Sequence, residues 1–362
     1  MKGVVTRESN QYAVEELTID PPKAGELGIR MAATGVCHSD LSVVNDTLPL
    51  PRPCVLGHEG AGVVETVGPG VTGFAPGDHV VLSFTPRCGS CWFCLRQMPQ
   101  FCANSLCFGP MMDGTARVHD KHGKDVGVMQ FLGCMAERAV VPAVSAVKID
   151  KSIPLDKAAL VGCGVMTGVG AAINTARVTP GASVAVFGCG GVGLSVIQGC
   201  RLAGAGTIIG VDLADNKLEM ARRFGATNVV NGGKQDPVGA VKDLTGGVGA
   251  DFTFEVVGIP ALMVTAYNAA RRGGTVVIVG VGRMTDSVPF NALMLSMEGK
   301  TIKGSYYGDA NVQADFPKLL GLYQGGRLNL DDMVTRTYRI EDAPQAIADL
   351  EQGRNARGVI VY

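Results

Sequence analysis

What this 362-residue chain lacks most plainly is charge of one sign: 32 Lys and Arg stand against 33 Asp and Glu, a formal net charge of −1. Without a basic surplus there is little to neutralise a phosphate backbone, which excludes general nucleic-acid binding. An uninterrupted apolar run is missing too. Residues 158–200 carry a single charge, Arg177, but Pro180 and repeated glycines break them up. A membrane span takes ~20 predominantly apolar residues in one helix, so this stretch is read as buried core. The opening MKGVVTRESNQ holds no apolar run of the leader type. A soluble, cytoplasmic protein is expected, with neither membrane nor nucleic acid as partner. The 50 glycines follow no G-x-y period, which excludes a collagen-like chain, and at about twice the usual ~7% share they imply many tight turns. With 46% hydrophobic residues the chain is not disordered.

Cysteine is not scarce, and it is uneven. Nine of the 11 lie at or before Cys163, five of them between 88 and 107, and the five histidines (38, 58, 79, 119, 122) all fall in the first 122 residues. An odd total argues against a disulfide framework. Clustered Cys with His nearby reads as metal ligation in a reducing compartment.

The texture changes near residue 165. Before it come β-branched segments with Gly/Pro punctuation, at 26–36, 60–68 and 77–83, and a polar, Gly-bearing loop at 121–130. His79 is read as structural, and His119 and His122 as solvated residues of that loop. After it, strands (183–188, 207–212, 227–231, 251–258, 274–282) alternate with helices (191–204, 216–226), the signature of parallel βαβ units and a doubly wound sheet. A helix at 342–353 and a strand at 357–362 fall outside that repeat and are expected to rejoin the first domain.

Gly188, Cys189, Gly190, Gly191, Val192 and Gly193 form G-x-G-x-x-G between a strand and a helix. Gly188 would make the tight turn, Gly190 would let a pyrophosphate approach the backbone, and Gly193 would permit close helix–strand packing. Phosphates would then sit at a helix N-terminus. Asp212 ends the next strand, 24 positions after Gly188. A carboxylate there can accept from ribose hydroxyls and repels a 2′-phosphate, which selects NAD over NADP. The other role open to Asp212 is a helix cap. Lys217, one turn further on, could reach the same ribose or simply face solvent.

Cys88, Cys91, Cys94 and Cys102 offer four thiolates in fifteen residues. Four sulfurs satisfy a closed, structural zinc, with an iron–sulfur cluster as the alternative. Cys107 is left as a spare thiol. Cys37, His58 and Cys163 could make a Cys2His set with one open position, as catalytic zinc sites have. Spacing alone does not bring these three together, and each by itself also fits a buried structural residue.

GVCHSD (35–40), GHEGAGVVETVG (57–68), FTPRCGSCWFC (84–94), GCGVMTGVG (162–170) and VFGCGGVGLSVIQG (186–199) occur together and in order. The chain thereby resembles the zinc-dependent medium-chain alcohol dehydrogenases over essentially its whole length, closest to the liver-type and glutathione-dependent branch. The resemblance implies an α/β protein in which a Rossmann NAD-binding domain (165–306) is inserted into a β-rich GroES-like catalytic domain (1–164 and 307–362) with a structural zinc lobe near 85–107. It implies two Zn2+ per chain: a catalytic ion on Cys37, His58 and Cys163, and a structural ion on the four clustered cysteines. Glu59 would approach the catalytic zinc, Asp40 would orient His58, and Ser39 would take the substrate proton. His38 and Arg357 would contact the coenzyme pyrophosphate, with Thr167 near the nicotinamide and Gly191 and Val192 in the phosphate turn. Leu48, Phe84, Leu106, Phe131, Leu132 and Val281 would line the substrate pocket, although ordinary core packing is the other reading of each.

Two departures bear on function. Ser42 stands where liver-type enzymes carry a histidine that passes the proton to solvent. Leu106 stands where glutathione-dependent enzymes carry an arginine for a carboxylate. The expected activity is reversible hydride transfer between NAD and a primary alcohol or aldehyde, with allylic, benzylic and longer aliphatic alcohols as the candidate substrates. Glutathione-dependent formaldehyde dehydrogenase is the alternative, disfavoured by Leu106. Polyol dehydrogenases, which commonly place a glutamate at the third ligand, are disfavoured by Cys163. A zinc-stabilised NAD-binding protein without turnover is the alternative of another class. The segment 109–130 resembles that of dimeric relatives, so a homodimer is expected, with a tetramer as the other possibility.

Overall fold

The computed structural model describes residues 1–105 and 110–362. Two compact units divide the chain, Met1–Gly164 with Asn311–Tyr362, and Val165–Ala310.

The first unit is built on strands. Lys2–Glu8, Gln11–Ile19, Val118–Asp120, Asp125–Val128 and Cys54–Val55 close into a small barrel. A second sheet runs Ala146–Ile149, His79–Leu82, Gly60–Val67, Glu26–Val36, Arg357–Val361, Val334–Tyr338. Glu26–Val36 is its hub and also pairs with Arg138–Pro142. Nine of its 11 residues are buried, on both faces, so it shows no in–out alternation. The chain returns here at its end: Gly358 pairs with Val36 and Val361 with Ala33. That register sets Arg357 beside the C-terminal end of the hub strand.

A buried guanidinium anchors the other end of the hub. Arg117, 1% exposed, donates Nε and Nη2 to the two carboxylate oxygens of Glu26 at 2.9 and 2.7 Å, and Nη2 also meets Asp113 at 2.8 Å. The paired, planar geometry makes burial of these charges tolerable.

Segment 121–130 is not the plain loop its composition suggests. Val118–Asp120 and Asp125–Val128 pair antiparallel across it, turning at Gly123 with φ +75°. Nor is His119 simply solvated. Its Nε2 lies 3.0 Å from Asp20 and its Nδ1 3.0 Å from Asp125. The strands are only three and four residues long, with Val118, Val126 and Val128 as their inward-facing residues, too short a run for a period-2 reading to detect.

The second unit holds a parallel sheet in the order Asn228–Asn231, Thr207–Asp212, Ser183–Phe187, Ala250–Glu255, Ala270–Ile278, Thr301–Gly304. The chain runs outward from Ser183–Phe187 in one direction and then, from Ala250–Glu255, in the other. The crevice between those two strands is the switch point where such sheets bind ligands. Helix Asp215–Phe224 ends on Gly225 at φ +115°, the left-handed stop expected of glycine. The return to the first unit comes at Asn311 rather than 307. Tyr307–Asp309 stay with the second unit because Asn174 donates to the Gly308 carbonyl (3.1 Å) and Thr175 to Asp309 (2.8 Å). Among the described residues, no single helix is long and apolar enough to cross a membrane.

The carboxylates of Asp20 and Asp125 raise the His119 pKa above its ordinary 6.5, against a smaller opposing effect of burial. Stability from this clamp is therefore complete below about pH 6.5 and lost as pH rises through the higher folded value. Thermal melts of the chain and of His119→Gln should differ most near pH 6 and converge in alkali. A gap that widens with pH would show that the clamp does not carry the imidazolium.

Candidate active site

Cys37 follows directly on the hub strand and caps the short helix His38–Val44. Asp40, in the first turn of that helix, reaches back to accept from the Cys37 amide at 2.9 Å. Its other oxygen accepts from the Gly57 amide (3.1 Å) and faces Nδ1 of His58 (3.2 Å). Asp40 is completely buried. A carboxylate in that position fixes the proton on Nδ1 and turns Nε2 to the opposite side. Nε2 is buried and has no hydrogen-bond partner. Cys163 sits at a break in the backbone (φ −146°, ψ −79°) between the turn Ala159–Gly162 and the helix Gly164–Gly170. The ligand atoms of Cys37, His58 and Cys163 lie within 4.8 Å of one another, and all three residues are buried.

These three residues fit a metal ion. An orphaned imidazole nitrogen facing two thiols is the donor set of an open zinc site, three protein ligands plus one exchangeable position. Local electrostatics agree. The hydrogen bond from Cys163, then His58 and Arg357, hold the Cys37 thiol well below its ordinary range against burial. Burial favours a neutral His58, but the Asp40 carboxylate and Cys37 outweigh it and raise the imidazole pKa to about 10. The pocket is thus poised for positive charge next to thiolate.

Around this centre, Ser39 lies half-buried in the first helical turn with its Oγ 4.0 Å from Cys37 Sγ. The Phe84 ring stands edge-on to His58, with centroids 5.7 Å apart at 77°. Phe84, Phe131 and Leu132 are buried, and Leu48 is half-buried against the core beneath the first helix. Gln130 and Phe131 both adopt left-handed conformations (φ +51° and +62°), a strained turn that no sequence pattern announced. Leu106 and Cys107 lie outside the described residues. Val281, in the second unit, is exposed, as is His38 in the first.

Glu59 is completely buried beside His58. One of its oxygens accepts from the Gly164 amide at 2.7 Å and the other pairs with the Arg357 guanidinium. Arg357, expected to reach a pyrophosphate, is instead buried against this carboxylate. The pairing of the last strand with the hub dictates the contact, and motif reading missed it.

The Sγ atoms of Cys88, Cys91, Cys94 and Cys102 likewise lie within 4.8 Å of one another. Successive amides point at sulfurs: Cys88 N to Cys102 (3.3 Å), Cys91 N to Cys88 (3.3 Å) and Cys94 N to Cys91 (3.5 Å). Backbone N–H groups of Ser90 and Cys91 lower the Cys88 thiol to about 6, whereas burial and the neighbouring sulfurs push Cys94 up to about 12. Four sulfurs this close cannot all ionise unaided, and a bound cation removes the conflict.

In the second unit, strand Ser183–Phe187 turns at Gly188 (φ +101°) into helix Gly191–Leu202, capped by Gly190. A Cβ on Gly190 would meet nothing within 4 Å, so open space lies before the helix N-terminus. A Cβ on Gly193 would collide with the Gly188 carbonyl. The turn therefore fits a dinucleotide phosphate. Asp212 accepts from the Cys189 amide (2.8 Å) through one oxygen, and from the Leu213 (2.8 Å) and Ala214 (3.1 Å) amides through the other. It braces the glycine turn and starts the following loop at once. Lys217 and Thr167 are half-buried in the same unit, and Cys189 is buried beneath the turn.

The family model described as alcohol dehydrogenase GroES-like domain matches residues 23–151, and that described as zinc-binding dehydrogenase matches residues 191–325. The NDMA-dependent alcohol dehydrogenase of Amycolatopsis methanolica is 41% identical over 365 residues, 99% of this chain and 98% of that protein. Alcohol dehydrogenase B of Mycobacterium tuberculosis is 42% identical over 369 residues, 100% of this chain and 98% of that protein. Among solved structures, benzyl alcohol dehydrogenase from Acinetobacter calcoaceticus superposes with a TM-score of 0.94 at 34% identity, covering 99% of this chain and 98% of that one. Two domain matches and whole-length identity above 40% establish the family: this protein belongs to the zinc-binding medium-chain alcohol dehydrogenases.

Proposed function

We propose that this alcohol dehydrogenase is NAD-linked, carries one catalytic and one structural zinc per chain, and oxidises apolar primary alcohols to aldehydes reversibly. The observation that carries the reading is the buried Cys37–His58–Cys163 centre, with His58 Nε2 unpartnered and one position left open. The liver-type and glutathione-dependent branch remains our placement, on the four-cysteine lobe and the retained segment 109–130.

When bound, zinc supplies Lewis acidity at the alcohol oxygen and the dinucleotide supplies a two-electron acceptor. The chain's own residues do the rest. Cys37, His58 and Cys163 hold the ion, and Asp40 keeps the His58 proton on Nδ1. Ser39 Oγ, beside Cys37, accepts the hydroxyl proton and hands it on. With Ser42 in place of a histidine, that relay ends in water or His38. The Arg357–Glu59 pair keeps a carboxylate charge neutralised next to the ion. Phe84, Phe131 and Leu132 form dry walls, which suit a benzylic, allylic or aliphatic chain. Such walls discriminate by only ~1–3 kcal/mol per methylene, so a broad substrate range follows. Gly188–Gly193 take the phosphates, and Asp212 favours a free ribose over a phosphorylated one. The Leu106 side chain offers no counter-charge for a glutathione carboxylate.

A homodimer is supported by the second unit. Strand Thr301–Gly304 is a sheet edge, and Met284, Leu293, Leu295 and Met297 expose 42–88% of their surface nearby in sequence. Sedimentation equilibrium reads that state. Thiolate metal sites need a reducing compartment, which supports the cytoplasm, and fractionation tests it. A second reading comes from the Amycolatopsis relative, which by name is NDMA-dependent. In it, turnover here would likewise require NDMA.

A panel of primary, secondary and aromatic alcohols with NAD, run with and without glutathione and NDMA, separates these readings. Primary and benzylic alcohols are expected to form NADH with no glutathione effect. A strict glutathione requirement would overturn the Leu106 argument, and silence without NDMA would favour the second reading. Cys163→Ala should drop zinc from about two ions to about one per chain and abolish most turnover, while NAD still binds. Full turnover in that variant would remove Cys163 from the catalytic centre. Asp212→Gly should weaken NAD more than NADP. An unchanged preference would leave Asp212 only its backbone role.

A further inference from the structure

One buried carboxylate in the second unit has no part in the reading above. Glu255 ends strand Ala250–Glu255, in register with Phe187 on one side and Ile278 on the other, at the switch point of the sheet. Its side chain is completely buried. One oxygen accepts from the Val257 amide at 2.8 Å and the Gly258 amide at 2.7 Å, with the Ile259 amide at 3.5 Å. The other oxygen is buried with no hydrogen-bond partner. Burial pushes this carboxyl up, and the three amides oppose the shift.

The loop so held lies against the glycine turn. A Cβ on Gly188 would clash with the Val256 side chain at 3.0 Å and sit still closer to Val257. On its other side the loop meets Val281: at Gly258 (φ +91°) any Cβ would strike the Val281 backbone. Val257 and Ile259 expose 47% and 50% of their surface, and Val281 exposes 59%. The loop is therefore tethered from below by one carboxylate and pressed against the phosphate turn, while its outer side chains stay open.

We propose that Glu255 is a positioning residue for the dinucleotide: its carboxylate fixes the Val257–Ile259 amides, so that the loop forms one wall of the crevice whose other wall is the Gly188 turn. The proposal rests on the dinucleotide reading of that turn. Backbone placement governs how closely a ligand can seat, and a wall already fixed in the free protein removes an ordering cost from binding.

Equilibrium binding of NAD and of NADP to the zinc-loaded protein, read by calorimetry, tests it with Glu255→Ala, Glu255→Asp and Glu255→Gln. Ala has no acceptor, and Asp withdraws it by one methylene. Both should raise the dinucleotide Kd about tenfold or more, with zinc content, alcohol KM and kcat at saturating dinucleotide held. Gln keeps an acceptor oxygen and should restore Kd to within about threefold. A lowered melting temperature with unchanged Kd would overturn the proposal in favour of a purely structural role. So would a kcat loss without a Kd change, failure of Gln to rescue, or failure of all three variants to fold. Wild-type protein that binds neither NAD nor NADP would overturn the dinucleotide reading along with it. Wild-type binding with undiminished Ala and Asp variants overturns this proposal alone.

Discussion

The carboxylate of Asp40 is the interaction on which the catalytic centre depends. One oxygen closes the turn that carries Cys37, and the other joins the Gly57 amide and the His58 ring. Two ligands 21 residues apart are thereby referred to one group. Remove it, and the Cys37 turn, the approach to His58 and the choice of ring nitrogen all lose their support together. Because Asp40 is completely buried, its charge acts through little screening. That is why the imidazole pKa is raised despite burial, a pull towards positive charge that a cation held on Nε2 would answer in place of a proton.

The two cysteine sites solve the same electrostatic problem differently. Crowded sulfurs resist ionisation, and in the lobe one thiol is lowered while another is raised. Four sulfurs with amides aimed at them would complete the coordination of a cation and leave no position for a substrate. Among the described residues the centre of Cys37, His58 and Cys163 gathers three donors, and the neighbouring carboxylate of Glu59 is tied to Arg357 and the Gly164 amide. The position stays open because the charge beside it is already spoken for.

How much of this was legible in the sequence follows from how local each feature is. The four lobe cysteines and the glycine turn are contiguous, and their spacing alone encodes the geometry. Strand 26–36 was readable to the residue, since a hub buried on both faces is mostly apolar, broken only by Glu26, Arg30 and Thr34. Cys163 stands 105 residues beyond His58, and resemblance, not spacing, joined the two before the sheet did. The Glu59–Arg357 pair was out of reach. It exists only because the last strand adds antiparallel to Glu26–Val36, a register that no local pattern states. The 118–128 hairpin was hidden for the opposite reason: its strands are three and four residues long, too short for the alternation of Val126 and Val128 to stand out.

Asp40 and Glu255 put one device to use in separate units. Each is completely buried, and each binds backbone amides that its own element leaves unpaired. They differ in the second oxygen. Asp40 commits it to an amide and a side chain that carries chemistry, so its loss would be felt at the metal centre. Glu255 leaves it unpartnered, so its whole effect must pass through the loop it holds. Since an unpaired buried oxygen is unfavourable for folding, the geometry of that loop is the compensating term. The loop adjoins the one turn in the unit whose shape a dinucleotide would read. Both carboxylates thus act on where the backbone stands, Asp40 at the turn that carries Cys37 and Glu255 at the loop beside the glycine turn.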